Sequence, residues 1–435
     1  MSEFATDPKV SSRRVWYVFP YAGAPGLGRF TRPYDLAREW RKLGVDTTVF
    51  LSAHHHALYE PANALPAEFA IEGVSFRAVA GRTYSGNGLG RLRHMLGFGW
   101  KLRAAMREEA RRSGTPTEII VSSPHPFPIF AAAQAARRHA AKLVFEVRDV
   151  WPFALRETFG VSKLHPLYLL LALVERFAYR RSDAVVSLLP AAHTHMVERG
   201  MALAKFHVIP NGAPDVSAGG TGNLPGTVVE WMEAQKAAGR RIVGYAGSFG
   251  VPYATTSFRD VYERLAADAQ TSKRLAFVFA GDGAERAELM RGMEKVFADR
   301  NGSPFLFLGE VTREAAGELL AHCQGGLVFT RDTPLFKHGI AMNKLAEYMR
   351  VGLPILAAYE AGNDPVTEAR CGWRMRPEAA GDFASALTEF ANMPASELSA
   401  LGSNGRRYFL ENFDYAAIAG KYLALFRRLA GPSVG

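Results

Sequence analysis

Short apolar runs alternate along this chain with segments in which apolar residues recur at helical spacing. Residues such as Leu36, Trp40 and Leu43 fall on one face of a helix. Strands that are apolar on both faces and are separated by helices are typical of parallel βαβ units. In the first half of the chain the pattern predicts six such strands, at Val15–Phe19, Val45–Phe50, Glu118–Ser122, Leu143–Val147, Ala184–Leu188 and His207–Pro210.

The alternation stops at Gly212–Gly226 and then starts again. This segment, GAPDVSAGGTGNLPG, is rich in Gly and Pro and almost free of large apolar residues, which predicts a linker. Two tandem doubly wound α/β domains with a cleft between them are therefore predicted, and ligands in such sheets bind beyond the carboxyl ends of the strands. The strands predicted after the linker are Arg241–Ala246, Leu275–Ala280, Phe305–Leu308, Gly326–Thr330 and Pro354–Ala358.

The same pattern gives the domain boundaries. An N-terminal domain is predicted at residues 1–212, a linker with the start of the second domain at 213–240, and the second domain at 241–403. Asn404–Leu429 keeps helical spacing throughout. Residues 404–435 are therefore predicted to form a helix that crosses back to the N-terminal domain.

Composition restricts the class of protein further. The chain has 435 residues, of which 48% are hydrophobic and 22% charged, and these proportions exclude wholesale disorder. Its two cysteines, Cys323 and Cys371, provide neither a disulfide framework nor zinc-ligand spacing. The longest apolar run, Pro166–Val174, has about half the length of a membrane span, and residues 1–14 lack the apolar stretch of a signal peptide. A soluble intracellular protein is expected.

Positive charge is concentrated in the first half of the chain. The formal net charge is +10, and all of this excess lies in residues 1–200. Its densest part, Arg82–Arg112, interleaves basic and apolar residues, which fits the interface of an anionic membrane. A solvated helix that covers its own domain is the alternative. Nucleic acid is not an expected partner, because no binding module is recognisable. The residues predicted to meet the membrane are Arg91, Arg93, Phe98, Trp100, Lys101 and Arg103.

A glycine-rich turn, Gly23–Arg29 (GAPGLGR), follows the first predicted strand. Such a turn lets backbone N–H groups approach a phosphate or a sugar at a helix N-terminus. Arg29 and Phe30 replace the Lys and Ser/Thr of a P-loop, and the third glycine of a dinucleotide fingerprint is missing. Gly26, Gly28 and Arg29 are therefore candidates for an acceptor or phosphate loop, and an ordinary βα turn is the alternative.

Two further strand ends carry polar side chains. The prolines on both sides of His125 are predicted to aim its imidazole outward, where it could hold a sugar hydroxyl; a lone surface histidine is the alternative. Phe145–Pro152 (FEVRDVWP) places Arg148 and Asp149 after the next strand, where a structural pairing of Arg148 with Asp149 or a neighbour is an equal alternative. His125 and Asp149 are candidate catalytic residues.

The strongest local pattern is His338–Pro354. Asn343 is predicted to cap a helix whose free N–H groups and positive end point at the cleft. Lys344 in the first turn adds a charge suited to a diphosphate. Glu347 lies on roughly the same face and can accept hydrogen bonds from two ribose hydroxyls. A generic amphipathic helix is the alternative.

The run Asn343–Leu356 resembles the nucleotide-sugar helix of family 4 glycosyltransferases, which are retaining, metal-independent enzymes of the GT-B fold. The resemblance covers nearly the whole chain and is greatest to the bacterial branch that builds O-antigen, capsule or exopolysaccharide units on lipid carriers. Other stretches that agree in order and placement are Phe145–Pro152, Ser182–Leu189, Val208–Gly212, Tyr245–Phe249, Phe279–Gly283 and Phe307–Val311.

The resemblance implies retaining transfer of a hexosyl or N-acetylhexosaminyl group from a nucleotide sugar, with a UDP-sugar favoured, to a polyprenyl-diphosphate-linked acceptor on the cytoplasmic face of the plasma membrane. Lys344 would take the diphosphate as a catalytic residue, Glu347 the ribose and Gly309–Val311 the base. Neither a cofactor nor a metal is expected, and no Asp-x-Asp occurs. The donor-binding residues implied are Gly247, Ser248, Gly281, Gly283, Gly309, Val311, Arg331, Asn343, Lys344, Leu345 and Glu347.

The sequence departs from the family pattern at two places. Gly339 stands where the family has the first Glu of its Glu, seven residues, Glu motif, so the usual contact to the donor sugar is absent. Gly247–Ser257 lacks the Arg and Lys that often clamp the diphosphate, and Lys344, Arg331 or Lys337 is expected to substitute, with Arg259 a weaker candidate. A nucleotide-sugar epimerase of the GT-B fold and a non-catalytic, membrane-associated scaffold are the alternative functions.

Overall fold

The computed structural model describes residues 10, 12–60, 65–81, 86, 89–123, 125–215, 224–297 and 304–431. The chain divides into two compact units, one of Met1–Pro214 with Tyr415–Gly435 and one of Asp215–Asp414. Each unit contains one sheet with helices, and both sheets are parallel except for one strand pair. The predicted fold class is confirmed. The predicted linker at Gly212–Gly226 lies largely outside the described residues.

The first unit contains an eight-stranded sheet of order β3-β4-β2-β1-β5-β6-β7-β8. Its strands are β1 (Arg14–Val18), β2 (Asp46–Ser52), β3 (Glu68–Ile71), β4 (Val74–Val79), β5 (Glu118–Ser122), β6 (Lys142–Val147), β7 (Ala184–Ser187) and β8 (Phe206–Val208). Its first helices are α1 (Arg32–Arg41), α2 (Leu89–Arg112), α3 (Ile129–His139), α4 (Phe153–Phe159), α5 (Pro166–Arg181) and α6 (His193–Glu198), with 3₁₀ turns at Pro190–Ala192 and Leu203–Lys205.

The pair β3–β4 was not predicted, and it is the antiparallel exception. Its strands are joined by Glu72 and Gly73, both with positive φ, of 46° and 77°, which is the conformation of a two-residue hairpin turn. The strands escape a search for apolar runs because exposed or half-buried residues make up most of β3.

The second unit contains a six-stranded parallel sheet of order β11-β10-β9-β12-β13-β14. Its strands are β9 (Arg241–Ala246), β10 (Leu275–Ala280), β11 (Phe305–Leu308), β12 (Gly325–Phe329), β13 (Ile355–Ala358) and β14 (Gly372–Met375), the last of which was not predicted. Its helices are α7 (Gly226–Ala237), α8 (Phe258–Ala266), α9 (Ala269–Ser272), α10 (Arg286–Phe297), α11 (Arg313–Ala321), α12 (Asn343–Arg350), α13 (Pro365–Ala369), α14 (Ala380–Asn392) and α15 (Ala395–Asn412), with 3₁₀ turns at Val251–Tyr253, Thr255–Ser257 and Pro334–His338.

The last helix, α16 (Tyr415–Ala430), completes the core of the first unit. Tyr422 and Phe426 pack against Trp40 of α1, with ring centroids 5.6 and 5.9 Å apart. The Trp40 indole N–H also donates to the Ala419 carbonyl at 3.2 Å. The single terminal helix predicted from Asn404–Leu429 is therefore wrong, since α15 ends at Asn412 and α16 begins at Tyr415.

A fully buried carboxylate, Glu146 of β6, ties this core together. It accepts hydrogen bonds from Tyr17 Oη at 2.8 Å, Arg32 Nε at 3.0 Å and Ser122 Oγ at 2.6 Å, and from the Tyr422 hydroxyl. Burial alone would raise its pKa, but the charges of Arg32 and Arg148 and the hydroxyl donors bring the pKa of Glu146 down to about 2. Strands β1 and β5 and helices α1 and α16 are thus joined to β6 at one ionised group.

Candidate active site

In the second unit the strand order reverses between β9 and β12, because the chain runs from β9 outward to β10 and β11 and then returns to β12. Loops that leave such a switch point diverge and open a crevice at the carboxyl ends of the strands. The predicted donor-binding glycines follow β9, β10 and β11, and α12 follows β12. The fold therefore gathers most of the predicted donor residues at one edge of one sheet.

Two of these glycines are required by close backbone packing. A Cβ on Gly281, whose φ is +130°, would lie 1.9 Å from the Gly247 carbonyl oxygen, and a Cβ on Gly283 would lie 2.6 Å from the Phe249 backbone. The Gly281 N–H donates to the Gly309 carbonyl at 3.0 Å. Around Gly309 there is open space, and Val311 is half-buried. The glycines thus let three loops meet beneath the crevice.

Lys344 lies in the first turn of α12 and is buried. Its ammonium group lies between two tyrosine rings, 4.2 Å from the Tyr245 centroid and 4.3 Å from the Tyr253 centroid. Nζ donates to Tyr245 Oη at 2.8 Å. It also lies 3.1 Å from the position that a Cβ on Gly247 would occupy. The neighbouring Tyr245 hydroxyl donates to the Ser248 carbonyl at 2.5 Å.

Burial lowers the pKa of Lys344 to about 7, because the ammonium group has lost most of its water. A ring face and a phenol hydroxyl offset only part of that loss. An anion placed beside this amine would favour its charged form and raise the pKa again. Lys344 is thus suited to bind a negatively charged group, as predicted from its place in the helix.

Glu347 lies one turn further along α12 and is held by two arginines. Its Oε1 accepts from Arg313 Nε at 2.9 Å and Nη2 at 2.8 Å, and its Oε2 accepts from Arg350 Nε at 2.8 Å. These bonds orient the carboxylate; Oε1 already accepts two of them, and Oε2 retains capacity to accept one more. Arg313, at the start of α11, was not predicted, since nothing in its sequence context distinguishes it from a surface arginine.

Asn343 does not cap α12. It is the first residue of the helix and is exposed, while Met342 occupies the flanking position, and no side chain bonds the first turn there. The prediction of an Asn343 cap is therefore wrong by one residue. Leu345, two positions further on, is buried.

Arg331 is not a free diphosphate clamp. Its Nε donates to the Val251 carbonyl at 2.7 Å, and its Nη2 pairs with Glu285 at 2.6 Å. These bonds fix the loop that carries Tyr253. Arg259 pairs with Asp260 at 2.8 Å, and Lys337 is exposed in a 3₁₀ turn. Of the basic residues predicted to substitute for the family's clamp, Lys344 is the buried one at the switch point.

In the first unit His125 is buried, so the prediction that its imidazole points outward is wrong. The rings of Tyr21, Phe98 and Phe127 enclose it, with centroids 5.9, 6.4 and 5.9 Å away. Desolvation lowers the pKa of His125 to about 3, and neither ring nitrogen has a hydrogen-bond partner among the described residues. Asp149, beyond β6, is exposed.

Arg148 does not pair with Asp149 among the ion pairs of the described residues. Its guanidinium instead lies over the Phe19 ring, 5.1 Å from the centroid. Arg148 is therefore not paired with Asp149, although its charge helps to lower the pKa of the neighbouring Glu146. Asp149 is an exposed residue at this end of the sheet, although desolvation of its carboxyl group raises the pKa of that group above its ordinary value.

The glycine-rich turn uses much of its backbone internally. The N–H groups of Gly23 and Arg29 donate to Phe30 and Ala57 carbonyls, and that of Gly28 donates to Ala24. Gly26 is exposed with φ +71° and open space around it, and the Arg29 side chain is exposed. Gly26 and Arg29 thus lie at the surface, whereas Gly28 serves the closure of the turn.

Residues 89–112 of the predicted membrane segment form α2, whereas residues 82–85, 87 and 88 lie outside the described residues. Phe98 is buried, so its prediction as a membrane residue is wrong: the helix uses it for the core. Trp100 is 72% exposed, and Arg103 lies over its ring at 5.1 Å. Arg93 and Lys101 are exposed and Arg91 is half-buried.

No group of three or more His, Cys, Asp or Glu side chains within the described residues is arranged to hold a metal ion. Within the same residues, none of the helices has the length and apolar character needed to cross a bilayer.

Known protein families match both units. Residues 26–212 match the glycosyl transferase 4-like domain, and residues 240–392 match the glycosyl transferases group 1 domain. A search of curated protein sequences gives no significant match.

Solved structures share the whole fold at low identity. The HepE protein of Anabaena, in complex with UDP and glucose, has a TM-score of 0.62 at 15% identity, covering 96% of this chain and 100% of its own. The E. coli trehalose-6-phosphate structure bound with UDP-2-fluoro glucose has a TM-score of 0.69 at 11% identity, covering 95% and 99%. The UDP-forming α,α-trehalose-phosphate synthase of Burkholderia vietnamiensis has a TM-score of 0.68 at 15% identity, covering 96% and 99%. The fold and the two domain matches together identify the chain as a glycosyltransferase of the GT-B fold.

Proposed function

We propose that this glycosyltransferase transfers a hexosyl or N-acetylhexosaminyl group from a UDP-sugar to a lipid-linked acceptor, with retention of configuration and without a metal. The resemblance to family 4, and within it to the bacterial O-antigen, capsule and exopolysaccharide enzymes, supports a polyprenyl-diphosphate acceptor and a place on the cytoplasmic face of the membrane. The observation that carries the donor assignment is Lys344, a buried amine at the switch point of the second sheet.

In this proposal Lys344 binds the donor diphosphate and Glu347 accepts hydrogen bonds from the ribose hydroxyls. The solved neighbours bound to UDP or a UDP-sugar support uridine as the nucleoside. Lys344 and Glu347 are three positions apart on one helix and therefore lie on roughly the same face of it. They can thus contact adjacent parts of one nucleotide. The loop Gly309–Val311 contacts the base.

The proposed mechanism is same-face substitution. The acceptor hydroxyl attacks the donor sugar from the face from which the diphosphate departs. Gly339, with φ +122°, supplies no carboxylate where the family has one. Among the described residues of the candidate site, no other carboxylate is proposed as a nucleophile. A phosphate oxygen of the departing UDP then takes the proton of the acceptor hydroxyl while the new glycosidic bond forms. Lys344 and the N-terminal end of α12 stabilise the charge that develops on the diphosphate.

Thermal unfolding with UDP, GDP, ADP and nucleotide sugars tests the donor assignment. A ligand at about 100 times its Kd stabilises a protein by about 2.7 kcal/mol. Stabilisation by UDP and UDP-sugars is the expected result. A response to no nucleotide would contradict the proposal and favour the non-catalytic scaffold, and conversion of a nucleotide sugar to its epimer without acceptor would favour the epimerase.

Glu347→Ala is expected to weaken UDP binding about 10- to 100-fold, because hydrogen bonds to a charged acceptor contribute about 1.5–3 kcal/mol. The effect is measured by calorimetric titration with UDP. Glu314→Ala is the matched control, since Glu314 is an exposed carboxylate next to Arg313. Equal UDP affinity in Glu347→Ala and the wild type would remove Glu347 from the ribose site.

A further inference from the structure

The apolar run Pro166–Val174, too short to span a membrane, lies at the start of α5 and exposes four of its nine residues. Leu173 is 66% exposed, and Leu169 and Leu170 are also exposed. Leu164, just before the helix, is 83% exposed. Four exposed leucines within ten residues are more than scattered surface residues require, and they mark an interaction surface.

The exposed charges of α5 are all positive. Arg176, Arg180 and Arg181 are exposed in its second half. The one acidic residue of the helix, Glu175, is buried, where it accepts from Tyr179 Oη at 2.8 Å. The outer face of α5 is therefore apolar at its beginning and cationic towards its end.

Two neighbouring helices share this side of the sheet. Phe98 of α2, Ala132 of α3 and Val174 of α5 belong to one buried cluster, so the opposite sides of the three helices form one outer layer. Phe130 of α3 and Phe177 of α5 are in contact at 4.8 Å between centroids. We call this layer, α2 with α3 and α5, the outer helical face.

The outer helical face is strongly basic. Among the described residues of its three helices the one exposed carboxylate is Glu108, which pairs with Arg77 at 2.8 Å. Trp100 and Leu96 of α2 add exposed apolar groups to the leucines of α5. Its exposed cations are Arg93, Lys101, Arg107, Arg111, Arg112, Arg137, Arg138, Arg176, Arg180 and Arg181.

We propose that the outer helical face docks on an anionic lipid bilayer, with Leu164, Leu169 and Leu173 inserted among the acyl chains and the arginines of α5 at the phosphates. The proposal deepens the proposed function, on which its purpose rests, because a lipid-linked acceptor lies in that bilayer. The sequence predicted the apolar membrane anchor in α2, whereas this proposal assigns it to α5 and the residue Leu164 just before it.

Charge decides between a bilayer and a second copy of the chain. A twofold contact through this face would place ten cations of each copy opposite those of the other, and like charges repel. Anionic headgroups attract every one of these cations, each by a small amount that adds to the insertion of the leucines. An anionic membrane therefore offers a partner for both the exposed cations and the exposed leucines of this face.

Co-sedimentation with vesicles tests the proposal in the full-length protein. Vesicles of one part phosphatidylglycerol to two parts phosphatidylcholine are compared with phosphatidylcholine alone. The double variant Leu169→Ser/Leu173→Ser is expected to bind the anionic vesicles about tenfold or more weakly than the wild type. Arg176→Gln/Arg180→Gln is expected to weaken binding and its salt dependence.

The matched control is Leu203→Ser/Leu410→Ser, which removes two leucines exposed elsewhere, at 62% and 43%. It is expected to bind vesicles as the wild type does. UDP affinity and thermal unfolding are measured in every variant and should be unchanged, since none of these residues belongs to a buried core cluster or to the donor site. If the wild type binds no UDP, that result would contradict the proposed function and would leave the docking proposal untouched.

Either of two results would overturn the docking proposal. One is equal vesicle binding by the wild type and Leu169→Ser/Leu173→Ser. The other is a wild type that does not bind anionic vesicles. If light scattering then shows that the wild type is a dimer and the double variant a monomer, the face is an interface between two copies.

Discussion

Lys344→Met is expected to abolish nucleotide binding and, at the same pH, to make the unliganded protein more stable. The variant removes the amine proposed to hold the diphosphate, so UDP affinity should fall about 100-fold or more. It also removes a buried charge that, among the described residues, contacts Tyr245 and Tyr253. The gain in the free energy of unfolding should reach at most about 4 kcal/mol, because those two contacts are lost with it.

The pH dependence of that gain follows from the pKa of Lys344, which is about 7 in the folded protein against 10.5 normally. Below pH 7 the amine is charged in the folded and the unfolded state, and the full penalty of burial is present. Between pH 7 and 10.5 the folded state releases the proton, so the wild type gains stability relative to Lys344→Met. Thermal unfolding at pH 6 and pH 9 should show a larger difference at pH 6.

UDP affinity of the wild type should fall above pH 7, by up to about tenfold per pH unit, because the bound diphosphate requires the charged amine. Lys337→Met is the control, since Lys337 is an exposed lysine in the neighbouring 3₁₀ turn. A Lys344→Met protein that is less stable at pH 6 and still binds UDP would contradict both the burial argument and the donor site.

Glu146→Ala is expected to destabilise the protein by about 3–5 kcal/mol, the second large effect. The substitution leaves the Arg32 guanidinium buried without its counter-charge, and buried pairs broken in this way lose that much. Tyr17 and Ser122 lose their acceptor as well. Chemical denaturation followed by circular dichroism measures the loss.

The pH dependence of this second effect has the opposite sign. The pKa of Glu146 is about 2, below its usual 4.5, so its stabilisation is complete above pH 4.5 and is lost as the pH falls towards 2. Asp46→Ala is the control, because the pair between Arg14 and Asp46, at 2.8 Å, is largely exposed and should contribute less than about 1 kcal/mol. Similar losses for both variants would mean that burial does not strengthen the Glu146 pair.

Strands buried on both faces were predictable because their apolar runs are continuous. Leu275–Ala280, for example, is buried at every position and was placed to the residue. The hairpin at Glu72–Gly73 and β14 were missed because most positions of β3 and β14 are half-buried, which breaks that pattern.

The candidate site divides in the same way. Lys344 and Glu347 stand out because residue type and helical spacing carry their chemistry. The burial of His125 depends on the rings of Tyr21, Phe98 and Phe127. Tyr21 and Phe98 are distant along the chain, and the neighbouring Phe127 lies in a loop, so the local sequence does not show that these rings enclose the imidazole. The Arg313–Glu347 contact joins two helices and has no local signature.

The place of α16 has a consequence for how the chain matures during translation. Residues 415–430 complete the core that begins at Arg14, and Tyr422 supplies one of the donors to Glu146. The ribosome delivers the whole second unit, Asp215–Asp414, before this helix emerges. The second unit has all its strands at that moment, whereas the first unit must wait with Trp40 and the Arg32–Glu146 pair uncovered. The half of the protein made first is thus the half that finishes folding last.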